Sequence, residues 1–216
     1  MMKKLFIFDF DGTIADTQGI ITKTMMMTIN ELQLEKRTVE QCRAMIGLPL
    51  AEAFVTLLGV DDETADLCAA TYRRIFIDNN VPGAVSLFPH VYETMQKLHQ
   101  EGCVLTIATS RSHASVVQFL EEMQLLDVVS YILGADDVER AKPDPFPVLK
   151  TLKDLGFKAE EALVVGDTSF DILMGYRAGV RTCGVTYGNG TEEQLREAHA
   201  DEIIDDIALL YEIAKK

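Results

Sequence analysis

Leu5-Phe6-Ile7-Phe8-Asp9-Phe10-Asp11-Gly12-Thr13 runs from four large apolar residues straight into two carboxylates, and the fold is decided by how that junction is read. Consecutive apolar residues with no polar alternation describe a short strand covered on both faces, the environment of a parallel sheet. In an extended chain, residues two apart point to the same side, so Asp9 and Asp11 can face one small volume beyond the strand end. Gly12 and Thr13 then supply a tight turn that carries a hydroxyl.

Working outward, similar apolar runs recur at Val104 to Ala108, Tyr131 to Leu133, Leu163 to Val165 and Thr182 to Val185. Between them lie amphipathic stretches such as Val91, Met95 and Leu98, which share one helical face, with Pro89 at the helix start. Strands alternating with helices predict an α/β fold, an open parallel sheet covered on both faces. Its ligand site is expected at the carboxyl ends of the strands. From about Asp16 to Pro82 the strand pattern stops. Only helical patterns remain, punctuated at Gly47-Leu48-Pro49, Gly59 and Pro82-Gly83. The expectation is an all-helical insertion over residues 16–82, with Met26, Met27, Ile29, Leu32 and Leu34 in its packing, set into a core domain of residues 1–15 and 83–216.

The chain of 216 residues is 48% hydrophobic, enough for a core domain carrying a smaller second one. Its formal net charge of −14 argues against nucleic acid or an anionic membrane surface as a main partner. The apolar start behind Lys3 and Lys4 is broken at Asp9, too soon for a signal peptide or a membrane span, so a soluble cytoplasmic protein is expected. Cys42, Cys68, Cys103 and Cys183 form no C-x-x-C pair and read as reduced thiols. Nothing in the sequence specifies an oligomeric state.

An acidic protein that handles an anionic ligand must gather positive charge locally, and the strand ends indicate where. Thr109-Ser110 follows the second strand with hydroxyls and amides for an anionic oxygen. Lys142-Pro143-Asp144-Pro145 presents one cation on a stiffened loop, and Gly166-Asp167-Thr168-Ser169-Phe170-Asp171 adds two carboxylates. Asp9, Asp11, Asp167 and Asp171 at one sheet edge would repel one another unless a cation sat among them, and oxygen donors of this kind suit Mg²⁺. A phosphoryl group would fit between that metal, Thr109 and Lys142. Asp9 is then the expected nucleophile, and Asp11 the acid and base.

Taken singly, these residues have plainer readings. Thr109 could cap the next helix, Lys142 could lie on the surface, and Asp171 could be a first-turn acid. Gly47-Leu48-Pro49 fits an interhelical turn or a specificity loop, and Arg111, two residues past Thr109, reads as solvating a helix start ahead of the alternative, a substrate contact. The acidic stretch from Glu192 to Asp206 reads as solvated faces of the last helices.

Together, Asp9-Phe10-Asp11-Gly12-Thr13, Thr109 behind an apolar strand, Lys142-Pro143 and Gly166-Asp167-Thr168-Ser169-Phe170-Asp171 resemble, in order and over essentially the whole chain, the haloacid dehalogenase superfamily with a helical cap after the first strand. The resemblance implies a Rossmann-like doubly wound core and a cap that closes over the site, excludes water and chooses the substrate. It implies Asp9 as nucleophile and Asp11 as acid and base. A Mg²⁺ would be held by the Asp9 carboxylate, the Asp11 carbonyl and Asp167, with Asp171 as ligand or orienter, and phosphate by Thr109 and Lys142. Gly188-Asn189-Gly190 is similar to a stretch in phosphoglycolate phosphatases and their pyrophosphatase relatives, so a small phosphorylated metabolite is the expected partner. A β-phosphoglucomutase-like mutase is the rival, although Ile46 and Leu50 around Gly47 are apolar where that branch is basic, with Arg43 nearby. A phosphate-binding relative without turnover is a third reading. The sequence departs from the phosphoglycolate phosphatases at Ser110, where asparagine is frequent, and at His90, where glycine is usual.

Overall fold

The computed structural model describes residues 4–81 and 83–215. Lys3 and Pro82, which enter the readings of the chain start and of the end of the insertion, lie outside the described residues. The strands are β1 (Leu5–Phe8), β2 (Ala15–Asp16), β3 (Ser86–Leu87), β4 (Val104–Ala108), β5 (Val129–Leu133), β6 (Ala162–Gly166), β7 (Arg181–Val185) and β8 (Glu202–Ile204). The helices are α1 (Gln18–Glu31), α2 (Val39–Arg43), α3 (Leu50–Leu58), α4 (Asp62–Asn79), α5 (Val91–Gln100), α6 (His113–Glu122), α7 (Phe146–Leu155), α8 (Ser169–Arg177), α9 (Glu192–Glu197) and α10 (Leu210–Ala214).

Six strands form one sheet in the order β5-β4-β1-β6-β7-β8, every neighbour pair parallel. All four side chains of β1 are buried, as its unbroken apolar run requires. Phe8 lies level with Ile107 of β4 on one side and Val165 of β6 on the other, and the Asp9 amide donates to the Val165 carbonyl at 2.9 Å. The chain leaves β1 for β4 and β5, then returns to the other flank at β6. That reversal of strand order leaves a crevice at the carboxyl ends of β4, β1 and β6, the place where doubly wound sheets bind ligands. The expected strand ends therefore meet at one spot.

The region from Glu192 to Asp206 corrects the sequence reading, because it contains β8 as well as α9. This strand is three residues long, at the sheet edge, and set among acidic residues that mask its short Ile203-Ile204 pair.

Between β2 and β3, which pair antiparallel through Ala15↔Leu87 and Asp16↔Ser86, the chain forms α1 to α4. Asp61 starts α4 by accepting from the Thr64 amide at 2.9 Å, and Gly59 ends α3 in the left-handed region at φ 67°. Phe54, Tyr72 and Phe76 pack with Met25 and Ile29 in the helical core. Met26 and Met27, expected there, are exposed instead: adjacent positions on a helix cannot share a face, and Met25 and Ile29 take the inward one. Among the described residues no helix is long and apolar enough to cross a membrane.

Candidate active site

Asp9 stands one residue beyond the central strand and is buried, as are Asp167, Asp171 and Lys142. The Lys142 ammonium bridges two of these acids, donating to Asp9 Oδ1 at 2.5 Å and Asp171 Oδ1 at 2.7 Å. Asp171 is held from its other side by Thr168 at the start of α8, whose amide and hydroxyl donate to Oδ2 at 3.0 and 2.6 Å. Its first-turn role and its place in the acidic cluster thus use different oxygens. Asp167 accepts from the Thr13 hydroxyl at 3.1 Å and from the amide and side chain of Asn189 at 2.7 and 2.9 Å. Ligand oxygens of Asp9, Asp167 and Asp171 all lie within 4.8 Å of one another.

Glycines permit this crowding. A Cβ on Gly12 would come within 2.2 Å of Asp167 Oδ2 and Asn189 Nδ2, and its φ of +93° also disfavours a side chain. One on Gly166 would lie 2.2 Å from Asp171 Cβ.

The fourth expected carboxylate is arranged differently. Asp11 accepts a fork from Arg111, with Nη2 2.7 Å from Oδ1 and Nε 3.1 Å from Oδ2, so its side chain is not among the three that converge. Arg111 is accordingly no solvated helix-start residue. Its side chain is largely enclosed beside the rings of Phe10, Phe76 and Phe119, which supply an apolar wall that only tertiary structure assembles. Burial alone would lower the Arg111 pKa, but the Asp11 charge outweighs it and holds the guanidinium firmly protonated.

Thr109 is buried at the end of β4, its amide donating to the Leu133 carbonyl at 3.0 Å and its hydroxyl oxygen accepting from the Arg111 amide at 3.3 Å. The Ser110 hydroxyl, expected on an anionic oxygen, donates to the Gly47 carbonyl at 2.6 Å and so ties the α2–α3 loop to the sheet edge. Gly47 packs close above α8, where a Cβ would sit 3.2 Å from Phe170 and 3.3 Å from the Thr168 hydroxyl. Sequence reasoning gave Asn189 no role, and the signal available was its setting between two glycines in Gly188-Asn189-Gly190. His90 has φ +63°, the left-handed backbone that explains a preference for glycine there, and its ring nitrogen lies 2.8 Å from Asp206 Oδ2 at the surface.

A model of haloacid dehalogenase-like hydrolases matches residues 6–185. The chain belongs to that family. Among its relatives, "Probable phosphatase IndB" of Dickeya dadantii is 37% identical over 94% of this chain and 90% of its own. Pyrophosphatase PpaX of Anoxybacillus flavithermus is 34% identical over 96% and 94% respectively. The solved structure of a haloacid dehalogenase-like protein from Bacteroides fragilis superposes with a TM-score of 0.91 at 27% identity, covering 96% of this chain and 99% of that one. The expected α/β sheet is therefore that of the haloacid dehalogenase-like hydrolases, and the chain is an enzyme of their phosphatase type.

In this hydrolase the three converging acids outnumber the one ammonium, that of Lys142, buried among the described residues. Burial pushes the Asp9 carboxyl well above the usual range; Lys142 opposes this, while Asp171, Asp167 and Asp11 add to it. Burial likewise lifts Asp167 from 3.8 to about 6, with Asp171 reinforcing the shift and Asn189 and Lys142 opposing it. Lys142 is driven down by burial, but Asp171 and Asp9 outweigh that and raise its pKa. Hard oxygen donors with excess buried negative charge fit a divalent cation. Asp9, Asp167 and Asp171 would hold it.

A pH dependence follows. A carboxyl whose folded pKa lies above its unfolded value stabilises the fold fully below the unfolded value, and that contribution is lost as pH rises through the folded one. For Asp167 the window runs from 3.8 to about 6. Metal-free protein is thus expected to lose stability across this window relative to Asp167→Asn. A divalent cation, needing the ionised form, is expected to raise the melting temperature less at pH 5 than at pH 7.5. Melting curves at the two pH values, with and without MgCl₂, measure both; a metal-induced rise equal at both would contradict the assignment.

Proposed function

We propose that the protein is a Mg²⁺-dependent phosphatase of small phosphorylated metabolites, acting through a phosphoaspartate on Asp9, with phosphoglycolate the first ester to try. The observation that carries this is the buried Asp9 at the end of the central strand, paired with Lys142 at 2.5 Å and flanked by two further acids. An Asp9 carboxylate oxygen attacks phosphorus in line, forming a P–O bond as the P–O bond to the leaving group breaks. Asp11 gives its proton to the leaving oxygen. Water then attacks phosphorus, the bond to Asp9 breaks, and Asp11 takes the water's proton as phosphate leaves. Lys142 and the Thr109 hydroxyl bind phosphoryl oxygens, and the buried turn at Gly12 and Thr13 supports the site from below, the Thr13 hydroxyl holding Asp167. A bound Mg²⁺ would supply positive charge against the oxygens of the transferring group.

Residues 16–82 are read as a cap, with Gly47 the part of it nearest the chemistry. Pyrophosphate is the second substrate reading, supported by the relatives named as pyrophosphatases. A phosphosugar mutase has less support from the Gly47 loop, where Ile46 is buried and Leu50 packs against the core; the charge near that loop comes from Arg43, which reaches the Gly188 carbonyl. A non-catalytic role is opposed by the complete set of chemical residues. The buried thiols Cys42, Cys68 and Cys183 agree with a reducing cytoplasm.

The test is a phosphate-release screen over small phosphate esters and pyrophosphate. Release with Mg²⁺, abolished by EDTA and restored by excess Mg²⁺, is expected for at least one compound. Release that survives full chelation overturns the metal dependence, and an inert protein sinks the proposal.

A further inference from the structure

We infer that Arg43, at the end of α2, recognises a second anionic group on the leaving part of the substrate, so that the preferred substrates carry a phosphoryl or carboxylate group next to the ester they lose. This inference rests on the phosphatase reading and deepens it.

Arg43 crosses from the helical insertion to the core, where Nη2 donates to the Gly188 carbonyl at 3.0 Å. That contact is at the rim of the acidic site: a Cβ on Gly188 would lie 2.4 Å from Asp167 Oδ2 and 2.4 Å from the Gly12 carbonyl. Arg43 Nε, a donor, is buried there without a hydrogen-bond partner; Asn189 Oδ1, on the residue after Gly188, is unpartnered too, but as an acceptor it calls for a donor on the ligand and not for an anion. A buried donor left unmade is costly, and its natural complement is an oxygen that arrives with a ligand. Nε and Nη2 share one edge of the guanidinium, a fork that matches two oxygens of a carboxylate or phosphoryl group. The Gly188 carbonyl engages only one tine of that fork.

The charges point the same way. Lys142 is committed to Asp9 and Asp171, and Arg111 to Asp11. Arg43 makes no ion pair with a carboxylate among the described residues. It brings to the rim of the site a cation that no described carboxylate neutralises and that can answer a charge brought by substrate. Because it comes from the insertion, it meets the leaving part, not the phosphoryl group that faces Asp9.

The experiment compares kcat/KM of the full-length native protein, Arg43→Gln and Arg43→Lys on three substrates with Mg²⁺: pyrophosphate, phosphoglycolate, and phenyl phosphate, whose leaving group is uncharged apart from the ester itself. Losing the Gly188 contact lowers all three activities by a common factor, so the ratio between substrates is the readout. For Arg43→Gln the loss on pyrophosphate or phosphoglycolate is expected to exceed that on phenyl phosphate by roughly 10- to 100-fold, mainly through KM. Whichever of the two substrates shows it identifies the second group as phosphoryl or carboxylate. Arg43→Lys, which keeps the charge without the fork, is expected to recover part of the ratio. Equal losses on all three substrates overturn the inference and leave Arg43 a structural tie. So does a native protein that prefers phenyl phosphate, an outcome under which the phosphatase reading stands. No phosphate release from any compound is the separate failure of that reading.

Discussion

Asp9→Asn protein is expected to release phosphate at least about 10⁴-fold more slowly than the native chain on its best substrate, with no comparable change in KM. The substitution keeps shape and size but removes the anionic oxygen that must form the bond to phosphorus. The fold should tolerate it. Burial already penalises a charge on Asp9, and an amide oxygen can still accept from Lys142. The melting temperature of metal-free Asp9→Asn is therefore expected to match or exceed that of the native protein, while the rise produced by Mg²⁺ shrinks. Stopped turnover with an intact fold separates a nucleophile from a scaffold residue. Near-normal turnover would remove Asp9 from the chemistry, and deamidation back to aspartate is controlled by mass measurement of the purified variant.

Lys142→Met carries the second large effect, on stability as well as activity. Lys142 is 4% exposed and is the ammonium that holds Asp9 and Asp171 together. Removing one partner from a buried charge cluster leaves the others uncompensated, at about 3–5 kcal/mol, against a total stability on the order of 5–15 kcal/mol. Urea denaturation of metal-free protein at pH 7.5 is expected to show this deficit. It should narrow at pH 5, because Asp9 loses the neighbour that lowers its pKa and protonation then relieves the repulsion. A deficit that widens toward pH 5 would mean that the lysine does not balance these acids. Phosphate release is expected to be lost at either pH, since the ammonium that hydrogen-bonds to Asp9 is gone.

Much of this site was readable before any coordinates, for a physical reason. Strands buried on both faces must be continuous apolar runs, and Leu5–Phe8, Val104–Ala108 and the run within Ala162–Gly166 end abruptly at polar residues. Parallel strands align those ends on one edge, so Asp9, Thr109 and Asp167 meet almost by construction. What escaped depends on contacts that no local pattern encodes. Arg111 reads as an exposed helix-start cation because the rings that bury it come from Phe10, Phe76 and Phe119, far apart in the chain. Its capture of Asp11 escaped with it. Ser110 looked like a phosphate contact because a hydroxyl cannot announce whether its acceptor is a ligand or the carbonyl of Gly47. The strand Glu202–Ile204 is too short to show a period, and its existence is owed to the open edge of β7 beside it.

The pairing of Ala15 with Leu87 and Asp16 with Ser86 bears on how the helical insertion travels. Two separate tethers would allow it to slide, twist and tilt independently on each. Hydrogen-bonded into a ribbon, they act as one hinge pin, which flexes across its own plane and resists shear along it. If the insertion opens and shuts over the site, as proposed for a cap, its movement would be a swing with essentially one degree of freedom. Each return would then bring Gly47 and Arg43 back to the contacts they make with Ser110 and Gly188, with little conformational search to repeat.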